Sequence, residues 1–369
     1  MMMLLSEADS NFISQRQSIF ATNINLIILS EVFMVKEVDN ISLRAKLVRN
    51  VINMVSSGFI IGPAIKKGTI RRRLVEPPWH CPDGYSVAKI HMKHFEMELL
   101  SPENTGSRFV VLQLHGGGYI GKMRNVYRNF AKEYCEMRGG IKTLSIDYRV
   151  APKNPFPAAL DDAVAAYKWL LATGYEGRDI IIAGDSAGGG LSLALSQYLR
   201  DNDMPLPAGL VLMSPWTDLT ASGTSYDDNY TLDPLFGNTR ESMIYSGEYL
   251  GGHSPKEPYI SPLFGDFSKL PPMLFQVGGI EMLLSDSVLA EKKARESADS
   301  SLSSRINNEV TIRQAADNEL QRNISGEATD RENADNTLQG NIDAEAKNRR
   351  VGDSELREQI LTEQTNRTN

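Results

Sequence analysis

The chain has 369 residues, a formal net charge of −7 and 41% hydrophobic residues, which is enough for one large domain or two smaller ones. The negative charge gives no electrostatic reason to expect nucleic acid or an anionic membrane surface as a partner. The two cysteines, Cys81 and Cys135, are too few for a disulfide framework and are interpreted as reduced thiols of a cytoplasmic protein. The sequence contains neither the spacing of a metal site nor a phosphate- or dinucleotide-binding loop, so no metal ion or cofactor is expected.

Residues 1 to 35 are a poorly determined N-terminal extension. The apolar run from 24 to 35 is interrupted by polar residues and is too short to span a bilayer. No basic segment or small-residue cleavage site accompanies it, so a secretory signal peptide is not expected. Translation from Met34 would make the preceding residues dispensable.

Alternating strands and helices are predicted between residues 36 and 289, which we expect to form one domain. Its first helix, over 36 to 60, has apolar residues at helical spacing. Further helical patterns separate the apolar runs that predict strands. These runs are 109–114, 143–147, 180–183, 210–213 and 273–277. This alternation predicts an α/β fold with a mostly parallel sheet and helices on both faces.

A glycine-rich turn follows the first of these strands, at His115-Gly116-Gly117-Gly118. Glycines lack the Cβ atom that would keep a reacting carbonyl oxygen away from the backbone N–H groups. We therefore expect the amides of Gly116, Gly117 and Gly118 to hold a developing oxyanion.

The strand over 180 to 183 leads into the sequence GDSAGGG at 184 to 190. The pattern G-x-S-x-G is typical of a sharp strand-to-helix turn that exposes a serine oxygen at a helix N-terminus. Ser186 is therefore the candidate nucleophile, and the N–H of Ala187 is a further candidate donor to the oxyanion.

Residues 290 to 369 have a different composition, because they lack aromatic residues, histidine, cysteine, methionine and proline. They repeat every 18 residues, which is about five turns of an α-helix, so each leucine returns to the same side. The repeated leucines are Leu302, Leu320, Leu338 and Leu356. The pattern predicts a long polar helix with a narrow apolar stripe. Two interpretations stay open, a self-associating rod that makes the chain a homo-oligomer and a solvated, partly helical tail.

Residues 75 to 293 resemble the hormone-sensitive-lipase-like branch of the α/β-hydrolase fold, a family of carboxylesterases and lipases. The matching stretches are HGGGY at 115, DYRVAPKNPFPAALDDA at 147, GDSAGGG at 184, LMSPWTDLT at 212, ISPLFGDFSKLPPMLFQVGG at 260 and EMLLSDS at 281. The resemblance implies an α/β-hydrolase fold in which the helix over 36 to 60 is a cap. It also implies a catalytic acid in the loop after the strand at 273–277, where Glu281 is the first choice and Asp286 the alternative.

The same resemblance implies a catalytic histidine beyond the acid, on a segment with one more strand and a final helix. The 18-residue repeat stands in that place, and no histidine follows His253. We therefore expect the triad histidine to be missing and the hydrolase domain to be C-terminally truncated. The five histidines are expected to be loop or surface residues; they are His80, His91, His94, His115 and His253.

The activity implied is hydrolysis of a small acyl ester by a serine nucleophile through an acyl-enzyme, impaired by the loss of the base. Tyr119 and Trp216 are candidates for lining the substrate pocket, although a place in the core is an equal expectation. One alternative is a non-catalytic hydrolase-like domain fused to an oligomerising helical stalk. Another is a recombined reading frame whose product folds poorly.

Overall fold

The computed structural model describes residues 43–44, 46–47, 50–51, 76–235 and 247–368. Its centre is a seven-stranded sheet in the order β1-β2-β4-β3-β5-β6-β7. The strands are β1 (Tyr85–His91), β2 (Glu96–Pro102), β3 (Val110–Leu114), β4 (Lys142–Asp147), β5 (Ile180–Asp185), β6 (Gly209–Met213) and β7 (Met273–Gln276). The helices are α1 (Asn125–Cys135), α2 (Ala158–Ala172), α3 (Ser186–Asp201), α4 (Ser225–Asp228), α5 (Gly247–Leu250) and α6 (Leu284–Thr368).

The sheet is antiparallel at one end and parallel over the rest. β1 pairs antiparallel with β2 and β2 with β4, whereas the strands from β4 to β7 in sheet order are parallel neighbours. The five predicted strands correspond to β3 to β7, which confirms the predicted α/β fold with a mostly parallel sheet. β1 and β2 were not among the predicted strands, because neither contains a continuous apolar run. β1 has half-buried and exposed residues only, and in β2 only Met97 and Leu100 are buried.

The core lies on both faces of the central strands. All five residues of β3 are buried, since α-helices cover the sheet on either side and parallel strands are accordingly apolar on both faces. α3 contributes a nearly continuous buried surface that includes Leu191 and Leu195. At the end of the sheet, β7 has only four residues and Leu274 is 61% exposed. The sheet is thus well covered at its centre and poorly covered at β7.

α6 is one continuous helix of 85 residues. Its first turns pack against the domain, and Ala290 is buried in the main core. From residue 298 onward, every residue whose side chain the structure describes is exposed. The predicted domain boundary at 290 therefore lies within the second turn of this helix.

The predicted cap lies largely outside the described residues, as does the extension over 1 to 35. The described residues within 36 to 60 are helical and exposed; they are Leu43, Arg44, Lys46, Leu47, Asn50 and Val51. In the described part of the chain, no helix has both the length and the hydropathy needed to cross a membrane.

Candidate active site

Ser186 occupies a sharp turn between β5 and α3. It is the first residue of α3 and has a φ of +50°, a left-handed conformation that residues other than glycine seldom adopt. Its carbonyl accepts a hydrogen bond from Trp216 N at 2.8 Å. A Cβ atom at Gly184 would lie 2.3 Å from the carbonyl oxygen of Gly188, so only glycine fits there. The turn therefore has the geometry that the G-x-S-x-G pattern predicts.

The turn at Ser186 lies directly against the end of β3. A Cβ atom at Gly188 would be 2.1 Å from the carbonyl oxygen of Leu114 and 2.5 Å from that of His115. β3 and β5 are parallel neighbours, so their carboxyl ends meet at the same edge of the sheet. This close approach brings the glycine-rich turn at 115–118 beside the candidate nucleophile.

Gly116 does not offer a free amide, contrary to the prediction. Its N–H donates to Asp185 Oδ1 at 2.9 Å, and a Cβ atom at this position would lie 2.4 Å from Asp185 Oδ2. That second oxygen also accepts a hydrogen bond from the Tyr127 hydroxyl at 3.2 Å. Burial raises the pKa of the Asp185 carboxyl. Gly116 is therefore a structural link that joins the two turns through Asp185.

Three of the predicted oxyanion donors stay available. Within the described residues, no hydrogen bond occupies the N–H of Gly117, Gly118 or Ala187. Gly117 and Gly118 have φ values of +113° and +63°, and the Gly117 carbonyl accepts the N–H of Gly121 at 2.8 Å. Ala187 lies in the first turn of α3, where backbone N–H groups have no intrahelical partner.

His115 is a buried brace for the glycine-rich turn. Its ring stacks on Tyr148 with a centroid distance of 4.1 Å, and Nδ1 lies 2.7 Å from the carbonyl oxygen of Gly116. The hydroxyl of Tyr148 in turn donates to the His115 carbonyl at 2.6 Å. Burial lowers the pKa of His115 to about 4, so the ring is neutral at pH 7. Its Nδ1–H must then be the donor to Gly116, because a carbonyl oxygen can only accept.

The other four histidines are exposed. They are His80, His91, His94 and His253. His91 Nδ1 lies 3.2 Å from Glu96 Oε1, and the His253 ring meets Phe156 edge-on with 5.0 Å between the ring centroids. All five histidines of the chain lie within the described residues 76–235 and 247–368, and none of them is hydrogen-bonded to Ser186.

Glu281 lies in the loop that follows β7, at the same edge of the sheet as Ser186. Its Oε1 accepts the N–H of Gly278 at 2.7 Å, and its backbone carbonyl accepts Asn229 Nδ2 at 2.8 Å. The side chain is half-buried. The hydrogen bond to Gly278 holds the carboxylate within its own loop and leaves Oε2 as the oxygen with capacity for a further partner.

Asp286 is tied to a different part of the domain. Its Oδ2 accepts the N–H groups of Thr217 and Asp218 at 2.7 and 2.8 Å. It is fully buried, and burial raises its pKa to about 7. These contacts anchor the start of α6 to the loop after β6. Between the two candidate acids, they favour Glu281.

Tyr119 and Trp216 lie in the core, which was one of the two places expected for them, and not on the surface of an open pocket. Tyr119 is 1% exposed and stacks on Tyr249 at 3.8 Å between ring centroids, and Trp216 is 4% exposed. A Cβ atom at Gly190 would lie 2.1 Å from the carbonyl oxygen of Trp216, which shows how closely α3 packs on this region. Both residues contact the first turns of α3, since the Trp216 N–H donates to the Ser186 carbonyl and the Tyr119 hydroxyl would lie 3.2 Å from a Cβ atom at Gly190.

Comparison with known proteins places this arrangement in a family. The sequence profile of the α/β-hydrolase fold matches residues 111–310. An acetyl-hydrolase of Streptomyces hygroscopicus is 35% identical over 244 residues, which cover 60% of this chain and 81% of the relative. An esterase of Acinetobacter venetianus is 36% identical over 187 residues, which cover 51% of this chain and 61% of the relative.

Solved structures agree with the sequence comparison. The crystal structure of an esterase from the bacterial hormone-sensitive lipase family superposes with a TM-score of 0.56 at 35% identity, over 64% of this chain and 84% of that chain. The chain therefore belongs to the hormone-sensitive-lipase-like family of the α/β-hydrolase fold, whose members are esterase- and lipase-type hydrolases.

Proposed function

We propose that this chain is a serine-dependent carboxylic ester hydrolase whose turnover is impaired because it lacks the histidine base. The observation that carries the proposal is Ser186 at a φ of +50° on the turn between β5 and α3. The amides of Gly117, Gly118 and Ala187 without partners among the described residues add a means of stabilising negative charge.

The proposed reaction begins with attack of Ser186 Oγ on the ester carbonyl. The tetrahedral oxyanion is held by the amides of Gly117, Gly118 and Ala187, and the alcohol leaves to give an acyl-serine that water hydrolyses. Water takes the Ser186 proton that an imidazole would otherwise accept, and water also supplies the proton that converts the departing alkoxide into the alcohol. Loss of a triad member lowers turnover by several orders of magnitude, while charge stabilisation by the oxyanion site persists.

Glu281 is the acid in this proposal, since Asp286 is committed to Thr217 and Asp218. With no imidazole to orient, the Glu281 carboxylate accepts the N–H of Gly278 instead. The substrate is proposed to be a small acyl ester, which the name of the Streptomyces acetyl-hydrolase supports.

The test is hydrolysis of p-nitrophenyl acetate by the full chain, with Ser186→Ala as the key variant. Ser301→Ala on the exposed part of α6 is the matched control, because it removes a serine hydroxyl far along the helix. We expect a slow rate that Ser186→Ala abolishes and Ser301→Ala retains, with an acetyl group on Ser186 detected by mass spectrometry. Equal rates in all three proteins, with no acylated Ser186, would reject the proposal.

A second candidate is a non-catalytic hydrolase-like domain that α6 displays. The observation that favours it is the placement of all five histidines away from hydrogen-bonding contact with Ser186. This second candidate predicts that the full chain and the Ser186→Ala variant hydrolyse the ester equally slowly.

A further inference from the structure

Most of α6 has no partner in the described part of the chain. From residue 298 to its end, all described side chains are exposed. A helix in water draws most of its stability from packing of an apolar face, and exposed ion pairs add only a few tenths of a kcal/mol each. A helix of this length is therefore expected to be stabilised by packing against another surface.

One narrow stripe runs the length of this exposed helix. With an advance of about 100° per residue, five positions of each repeat lie within about 40° of the leucine. In the second repeat these positions are Ala316, Leu320, Ile324, Glu327 and Arg331. The leucine and isoleucine side chains are about half exposed, so much of their apolar surface remains in water.

The charged residues of the stripe are paired with each other. Glu327 Oε1 lies 2.5 Å from Arg331, and the same i,i+4 pair recurs every 18 residues along α6. The five pairs are Glu291–Arg295, Glu309–Arg313, Glu327–Arg331, Glu345–Arg349 and Glu363–Arg367. The stripe thus alternates an apolar patch and an ion pair, each repeated about every 27 Å along the axis.

We propose that α6 associates along this stripe with α6 of further copies of this chain. A partner must place apolar side chains opposite Leu320 and Ile324 and charges opposite Glu327 and Arg331, and must do so with the same period over several repeats. A helix of a different period falls out of register within one or two repeats and sets a charged pair against leucine. A second copy of α6 has the required period throughout. Because the stripe repeats near 3.6 residues per turn, the helices lie nearly straight against each other.

The first experiment is sedimentation equilibrium of the full chain at micromolar concentration. We expect a mass of at least two chains, where one chain is 40.9 kDa. The stripe variant Leu320→Ser/Ile324→Ser should weaken association by about tenfold or more. The matched control is Ile312→Ser/Leu361→Ser, which removes apolar side chains of similar exposure that lie about 80° and 140° away from the leucine direction. A monomeric wild-type chain, or equal behaviour of the two variants, would overturn the proposal.

The second experiment changes the phase of the stripe. Deletion of residues 316 to 333 removes one whole repeat and keeps the distal stripe on the same side, so assembly should persist. Deletion of residues 325 to 333 removes nine residues, which turns the distal stripe by about 180° although every repeated leucine and isoleucine remains. We expect this shorter deletion to weaken assembly more than the longer one. The opposite order, or equal assembly of both, would contradict the proposal. Neither experiment depends on esterase activity.

Discussion

The two ends of the candidate site lie on different parts of the sheet. Ser186 follows β5, which has strands on both sides, whereas Glu281 follows β7, the last strand of the described sheet. On the Ser186 side, backbone atoms approach so closely that added Cβ atoms would overlap carbonyl oxygens. On the Glu281 side, Leu274 is exposed and α6 leaves the domain after a few turns. The Ser186 side of the candidate site is therefore tightly packed, whereas the Glu281 side ends at a carboxylate that no histidine contacts among the described residues.

The largest expected difference between the two sides comes from single glycines. Gly188→Ala places a Cβ atom 2.1 Å from the Leu114 carbonyl oxygen. Because the overlapping atom belongs to the backbone, the overlap can be removed only by shifting β3 or α3. We expect a loss of about 4 kcal/mol or a failure to fold. Gly279→Ala, in the loop before Glu281, meets nothing within 4 Å and should change stability by less than about 1 kcal/mol. Urea unfolding monitored by tryptophan fluorescence measures the loss of stability in both variants. Similar losses would show that the Glu281 side is packed as tightly as the Ser186 side.

The second comparison concerns leucines on the two strands. Leu112 in β3 is fully buried, so Leu112→Ala leaves a cavity and should cost about 2–5 kcal/mol. Leu274 in β7 is 61% exposed, so Leu274→Ala should cost less than about 1 kcal/mol. A large loss at Leu274, measured by the same unfolding experiment, would mean that another part of the protein covers β7.

The third comparison is the pH dependence of the free energy of unfolding. Each side has one buried titratable group, and folding lowers the pKa of His115 but raises the pKa of Asp286. His115 has a pKa of about 4 when folded and about 6.5 when unfolded, so the unfolded chain binds the extra proton and stability rises with pH over that interval. Asp286 has a pKa of about 7 when folded and about 3.9 when unfolded, so the folded chain holds the extra proton and stability falls as pH rises from 4 to 7.

Variants separate these two contributions. Relative to the wild-type chain, Asp286→Asn should gain stability as pH rises from 4 to 7, with a slope of at most about 1.4 kcal/mol per pH unit. Relative to the wild-type chain, His115→Gln should lose stability as pH rises from 4 to 6.5. Unfolding free energies measured at four pH values test both signs, and parallel curves for wild type and variant would refute the corresponding assignment.

The sequence predicts the sheet well where strands are buried on both faces. The run 180–183 became β5 with its two ends within two residues of the prediction, because continuous β-branched and apolar residues specify a central strand. β1 was missed because its alternation follows an exposed edge. The 18-residue period likewise predicts α6, since the same face recurs after five turns.

The candidate site is predictable in its motifs but not in the roles of individual residues. The pattern identifies the turns at Gly116 and Ser186. It does not show that the Gly116 amide is hydrogen-bonded, because the acceptor, Asp185, lies 69 residues away in the sequence. The sequence also does not show whether an aromatic residue beside the site is buried. Tyr119 directly follows the glycine-rich turn, but its side chain lies in the core. Asp185 is the residue that sequence reasoning missed, and its position inside the G-x-S-x-G pattern was the only available signal.

The smallest difference between two variants is expected at the link between the two turns on the Ser186 side. Tyr127→Phe removes the hydroxyl that donates to Asp185 Oδ2 at 3.2 Å but leaves the hydrogen bond from Gly116 in place. We expect a loss of about 1 kcal/mol, the net value of one intramolecular hydrogen bond. Asp185→Asn is the companion variant, because its amide can serve Gly116 or the tyrosine but places a donor where an acceptor stood. It should cost more than Tyr127→Phe, and the reverse order in urea unfolding would show that Tyr127, and not Gly116, is the main partner of Asp185.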